Sequence, residues 1–201
     1  MSDIADALVR KLNLEVIEVL DLPGRPERRL AYPREFNHGT LVNVLLRLAP
    51  DGKLWRHQTL ALQGLIDKNN IVISTGTASG KSLIFQLFAF DLILRDPSTK
   101  ILVFYPLKAL ASDQFSRWKS LANELGFGAG CVAKIDGDVP TADRSDMLAI
   151  ANIVLMTPDV CQAWLMRNVG TAPVRRFFDK LSFLESVSKV ILSGPGGGQG
   201  S

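Results

Sequence analysis

The 201-residue sequence predicts an α/β domain, a parallel sheet of about five strands with helices on both faces. Three observations carry that reading. Runs such as "KILVFYP" and "ANIVLMT" are short and almost wholly apolar, as strands buried on both faces are. The segments between them are longer and repeat their apolar residues at helical spacing. Glycine, proline or polar clusters punctuate the changes from one period to the other.

Taken in order, the first fifty residues are the least regular. A helix is expected from Asp3 to Leu12, and "LEVIEVL" reads as a short strand. "DLPGRPERRLAYPREFN" is rich in prolines and charges without a period, and reads as a loop or arm. "HGTLVNVLLRLA" is helical and stops at "PDG". The alternation then begins: "LWRHQTLALQGLID" as an amphipathic helix, "NIVIST" as a strand, "GKSLIFQLFAFDLIL" as a helix apolar on nearly every side. "KILVFYP" is the next strand. The helix after it carries Leu110, Phe115, Trp118, Leu121 and Leu125 on one stripe. "GAGCVAKI" is a strand, "DGDVPTADR" a polar loop and "ANIVLMT" a strand. Helices from Pro158 to Arg167 and near Arg175 to Phe183 follow, with "SKVIL" as the last strand. The organisation expected is an N-terminal arm over 1–50, a nucleotide-binding domain over 51–193 and a flexible glycine-rich tail over 194–201.

Composition narrows the class. With 47% hydrophobic and 21% charged residues the chain is that of a globular domain rather than a disordered one. The run from Leu83 to Leu94 is interrupted by Gln86 and Asp91, so a bilayer span is not expected, and Met1 to Asp6 lacks the pattern of a signal peptide. Cys131 and Cys161 have no metal-ligand spacing and read as reduced thiols of a cytoplasmic protein. A net charge of +3 permits a polyanionic partner without requiring one.

The chemistry is concentrated in "VISTGTASGKSLIFQ". Ligands of a parallel sheet sit at the carboxyl ends of its strands, and this stretch runs from such an end into a helix. Small residues from Gly76 through Thr77, Ala78 and Ser79 to Gly80 let backbone N–H groups turn inward around phosphate oxygens, and the helix N-terminus adds its dipole. Lys81 is placed to reach the β- and γ-phosphates of a nucleoside triphosphate, with Ser82 completing the shell of a Mg²⁺ ion. The usual pattern has glycine at position 75, where this chain has Thr75.

Three further stretches in order select among phosphate-loop proteins. "LWRHQTLAL", "STGTASGKSL", "FYPLKALASDQ" and "NIVLMTPDV" resemble the Q-type motif and motifs I, Ia and Ib of superfamily-2 helicases of the DEAD/DEAH type. The likeness is strongest to the bacterial mitomycin-repair group, where Thr75 is at home. It runs from about Leu54 to Leu184, and "DGDVPTADR" is similar to the acidic-glycine turn of those proteins. The resemblance implies a RecA-like fold that uses ATP and Mg²⁺ and contacts nucleic acid, with single-stranded or tailed DNA favoured over RNA as the partner. It implies that Gln58 reads the adenine edge, although by residue habit a glutamine on an amphipathic helix is a solvated surface group. It implies phosphate contacts from Pro106, Lys108 and Ala109, from Gly137, and from the helix start at Thr157, Pro158 and Asp159. Thr157 with Pro158 also reads as an ordinary capped helix start, which is itself a phosphate site. Trp118 and Phe115 read as core rather than as platforms for bases.

Hydrolysis in that family needs an Asp-Glu pair at the end of a later strand, after a segment like "FFDKLSFL". No Asp-Glu dipeptide occurs in this sequence. If "KVIL" is the strand concerned, Ser193 and Gly194 fall at the acidic positions. Asp136 and Asp138 follow a different strand, out of order for the role. The family also closes two RecA-like domains over ATP, so a second one is an expected partner. The expectation is a motor domain, truncated before the acidic pair, that binds ATP and turns it over poorly alone. A binding module without turnover and a small-molecule kinase are the alternatives.

Overall fold

The computed structural model describes residues 29–36, 38–69, 71–73 and 79–186, the last three of these as backbone. The expected helix at Asp3–Leu12, the strand "LEVIEVL", Ser74 to Ala78 of the phosphate loop, the "SKVIL" strand and the 194–201 tail lie outside the described residues.

A parallel sheet in the order β4-β5-β3-β6 forms the centre, built from β3 (Lys100–Phe104), β4 (Val132–Ile135), β5 (Ile153–Met156) and β6 (Leu181–Ser186). Its side chains alternate between two cores. Ile101, Val103, Ile153 and Leu155 face one, while Leu102, Val154, Met156 and Ile135 face the other. The first core is covered by α1 (Gly39–Leu48), α2 (Arg56–Ile66), α3 (Lys81–Arg95) and α4 (Lys108–Glu124). The second is covered by α5 (Thr141–Ile150), by the helical segment α6 from Pro158 to Asn168, and by α7 (Ala172–Asp179). The unbroken apolar runs Ile101–Phe104 and Ile153–Met156 follow from that two-sided burial. No described helix is long and apolar enough to cross a membrane.

Helix α3 shows why its sequence is apolar nearly all round. Ile84, Leu87, Phe90 and Ile93 are buried on several sides of it, and even Asp91 is buried, paired with Arg95 at 2.7 Å. Burial pushes the Asp91 carboxyl up, against the pull of Arg95. In α4, Trp118 is core: it is 1% exposed and donates Nε1–H to the Tyr105 hydroxyl at 3.0 Å. Phe115 is half-buried against the first core, with Lys119 over its ring.

Residues before the alternation also pack into the domain. Leu41, Val44 and Leu45 on one face of α1 join the first core, and Arg47 holds Glu124 of α4 with two hydrogen bonds. The stretch expected as loop contains a strand, β1 (Arg29–Ala31), antiparallel to β2 (Lys53–Trp55). Arg29 fixes that ribbon by pairing with Asp51 at 2.8 Å and donating to the Lys53 carbonyl.

Three other elements differ from expectation. The "NIVIST" strand is not formed at Ile71–Ile73: Ile71 and Ile73 pack on the core and Val72 is 95% exposed, a strand's alternation without a hydrogen-bonded neighbour among the described residues. The polar "DGDVPTADR" loop is only a turn over 136–140, after which α5 begins at Thr141. The helix placed near Arg175 to Phe183 ends at Asp179, and Leu181–Ser186 is a strand paired with β3. Phe183 decides this, because in the strand its ring reaches Phe85 and Phe88 of α3, at 6.3 and 5.2 Å between centroids.

Candidate nucleotide and nucleic-acid site

The phosphate-loop end is held from two sides. Gly80 has φ +76°, the left-handed region that favours glycine, and directly precedes Lys81, the first residue of α3. Lys81 Nζ lies 3.3 Å from the Ser79 hydroxyl, and Ser82 is half-buried in the first turn of α3. From the other side α2 reaches across with consecutive residues. His57 Nε2 is 2.9 Å from the Ser79 carbonyl oxygen, and Gln58 Nε2 donates to the Gly80 carbonyl at 3.2 Å.

Gln58 is not the solvated group its residue habit suggests. It is 4% exposed, and its Oε1 accepts the Trp55 backbone N–H at 3.0 Å, satisfying a donor at the start of α2. Both ends of the carboxamide are thus turned to backbone. A Cβ on Gly80 would press on Gln58 Nε2, so a side chain there would have to displace the Gln58 carboxamide besides taking a left-handed backbone.

The expected nucleic-acid residues come together along one edge. Met156 pairs with both Phe104 and Ile135, so the residues just beyond these three strands form a row. From that row Pro106, Lys108 and Ala109 follow β3, Gly137 follows β4, and Thr157, Pro158 and Asp159 follow β5. Of these only Thr157 is buried. Its backbone is extended ahead of Pro158 at the first helical position, yet its side chain makes no capping bond, contrary to the expected cap. Beyond Val160 the segment widens to a π-helix over Cys161–Leu165. Such widenings occur often at functional sites.

Lys108 is charge-paired. Its Nζ is 2.6 Å from Asp138 Oδ1, and a side chain on Gly137 would start 3.9 Å from it. The Asp138 carboxylate raises the Lys108 ammonium above its ordinary pKa. Beneath them Asp136 is 2% exposed and accepts the Asp138 backbone N–H at 3.0 Å. Lys134 Nζ lies 2.7 Å from Asp136 Oδ2, off hydrogen-bonding geometry, and donates to Ser112 instead. Burial pushes the Asp136 carboxyl up, but Lys134, the Asp138 N–H and Lys108 together hold it below the usual carboxylate range. Arg144 closes the turn by donating to the Val139 and Asp136 carbonyls, its guanidinium resting over Trp164.

At the carboxyl end of β6, Glu185 and Ser186 pair in register with Val103 and Phe104. That strand stands beside β3, and "KVIL" lies outside the described residues. Ser193 and Gly194 lie outside the described residues. Cys131 is pushed up to about 11 by burial and Cys161 is also raised, and both are free thiols.

His57 was not legible as a site residue, and Asp138 was weighed only as a stand-in acid, not as the partner of Lys108. For His57 the signal was its place beside Gln58 in "RHQ"; for Asp138 it was an acid flanking a glycine turn.

Comparison with known proteins gives a consistent result. The family described as DEAD/DEAH box helicase matches residues 55–191. ATP-dependent helicase HRQ1 of Saccharomyces cerevisiae is 34% identical over 115 residues, 57% of this chain and 11% of its own length. The uncharacterized ATP-dependent helicase MJ1574 of Methanocaldococcus jannaschii is 33% identical over 159 residues, 77% of this chain and 22% of its own. Among solved structures, that of the DUF1998 helicase MrfA bound to DNA superposes with a TM-score of 0.78 at 25% identity, over 92% of this chain and 26% of that one. The chain therefore spans between about a tenth and a quarter of the length of these relatives.

Proposed function

Because the chain belongs to the DEAD/DEAH box helicase family, we propose that it is an ATP-binding first motor domain whose track is DNA. The observation that carries this reading is the row of residues beyond β4, β5 and β3. Three adjacent strands deliver Gly137, Thr157 and Lys108 to one edge, as a phosphate backbone running across the strand ends requires. A solved relative, MrfA, has been crystallised bound to DNA.

By the motif, Thr75 to Gly80 would supply backbone N–H groups to a triphosphate, Lys81 would neutralise its outer phosphates and Ser82 would offer a hydroxyl to Mg²⁺. The donor set fits that ion, since a hydroxyl beside phosphate oxygens and water is what Mg²⁺ selects. The ion would supply neutralisation of charge on the transferred phosphoryl group. By the same resemblance Gln58 would read the adenine edge, for which its carboxamide would have to leave Trp55 or Gly80. Pro106 and Ala109 shape the turn that presents Lys108, and Pro158 and Asp159 open the helical segment after Thr157.

A chain without an Asp-Glu dipeptide should turn over ATP slowly, because that pair holds the metal and orients the attacking water in related enzymes. Among the described residues Glu185 is the acid at the end of β6. An arginine finger alone accounts for roughly a thousandfold or more in related enzymes. A second RecA-like domain is the partner that would supply it.

The test is a single-stranded DNA isotherm by fluorescence anisotropy, repeated across a salt series. Affinity should fall with salt, by a log–log slope of about −0.7 per phosphate contact, and Lys108→Ala should lower both affinity and slope. Salt-independent binding, or Lys108→Ala equal to the parent, contradicts the track. Steady-state phosphate release with saturating DNA should stay near background, and DNA-stimulated turnover would contradict the slow-motor reading.

A further inference from the structure

We propose that His57 is a positioning residue for the di- or triphosphate site: with Gln58 it grips two consecutive carbonyls and thereby aims two consecutive backbone N–H groups at the phosphates. The inference rests on the nucleotide reading of Lys81 and Ser82 and names what prepares that site.

In a trans peptide the carbonyl of one residue and the N–H of the next point in opposite directions. His57 Nε2 holds the Ser79 carbonyl from the α2 side at 2.9 Å. The Gly80 N–H, in the same plane, is thus directed away from α2. Gln58 Nε2 holds the Gly80 carbonyl from the same side at 3.2 Å, which turns the Lys81 N–H away from α2 as well. Lys81 opens α3, so its N–H belongs to the first turn of that helix. These are the donors that a phosphate at a helix N-terminus uses.

The chemistry of the two grips is settled by their partners. A carbonyl oxygen only accepts, so His57 Nε2 carries a proton. The Gln58 orientation is fixed because Oε1 must face the Trp55 N–H, leaving Nε2 for Gly80. Gly80 is left-handed and so close to Gln58 that a Cβ there would meet its amide nitrogen, so the loop end packs directly against the Gln58 side chain. Without the His57 grip the Ser79–Gly80 peptide loses a hydrogen bond that orients it, and part of that ordering falls to the ligand. The preorganised ligand is a polyphosphate rather than the base.

Isothermal titration of the full chain with Mg-ATP and with inorganic tripolyphosphate tests this. His57→Leu removes the donor, and His57→Gln returns an amide N–H at nearly the reach of Nε2. His57→Asn keeps an amide too short to arrive. His57→Leu and His57→Asn should weaken both ligands by roughly three- to tenfold, the worth of about one hydrogen bond. His57→Gln should recover most of the loss, with all variants melting cooperatively near the parent. If His57→Leu does not fold, Gln against Asn makes the same comparison. Parental affinity in the Leu or Asn variant overturns the proposal. So does equal loss in the Gln, Leu and Asn variants, which marks a merely structural contact. A parent that binds neither ligand overturns the nucleotide reading itself, and is recognised before any variant is made.

Discussion

The two halves of the candidate site are built on different physics. At the nucleotide side, N–H donors of α2 grip backbone carbonyls, and the fit depends on a left-handed glycine packed against Gln58. At the track side the groups are charged and already paired, Lys108 with Asp138 and Lys134 with Asp136. Shape governs the first region and charge the second. The nucleotide side should therefore respond to changes of form and be tolerant of nearby charge, and the track side the reverse.

The largest expected effect breaks the shape-governed side. Gly80→Ala places a methyl where Gln58 Nε2 now lies and forces a left-handed backbone on alanine, at about 1–2 kcal/mol for the backbone alone. Calorimetric Mg-ATP affinity should fall by more than about tenfold. DNA affinity without nucleotide should stay at the parental value, and joint loss of both would erase the contrast.

The charge-governed side is sharpened by Asp138→Asn. It releases Lys108 from its present partner and removes a negative charge from the proposed track. Both groups are exposed, and such pairs hold weakly. Single-stranded DNA should bind about two- to fivefold tighter at low salt, with the gain vanishing as salt rises. Weaker binding would mean that Asp138 orders Lys108 for its ligand instead of competing for it.

This contrast also explains which parts were legible in the sequence. The buried strands β3 and β5, the helices α3 and α4, and the helicase resemblance were visible, since unbroken apolar runs and ordered motifs are local signals. Helix α5 was not, because Leu148 is its single fully buried residue and the segment looks like polar loop. Strand β6 was read as helix because "FFDKLSFL" satisfies either period until Phe183 meets Phe85 and Phe88. Strand β1 was hidden among prolines and exists by pairing with β2. The site followed the same rule. Lys81, Ser82 and Lys108 came from motifs, whereas the turning of Gln58 toward Gly80 and the pairing of Lys108 with Asp138 are tertiary.

The smallest effect concerns the support of the turn. Asp136 has a folded pKa below its ordinary value despite burial, because Lys134, the Asp138 N–H and Lys108 favour the carboxylate. A carboxyl lowered on folding adds stability above its unfolded pKa of about 3.9, and that stability is lost as pH falls through the lower folded value. Urea unfolding between pH 7 and pH 2 should show an acid limb below about pH 4 that is shallower in Asp136→Asn. An unchanged limb would show that the turn draws no stability from this charge.

The account stands most directly on Lys81, where shape and charge meet. Calorimetric titration of Mg-ATP into the parent and into Lys81→Ala measures whether the opening of α3 holds a triphosphate. The parent should bind, and Lys81→Ala, folded to the same degree by thermal melting, should bind at least about tenfold more weakly, as loss of a charged hydrogen bond requires. Equal affinities in the two proteins would contradict the nucleotide site and the motor reading built on it.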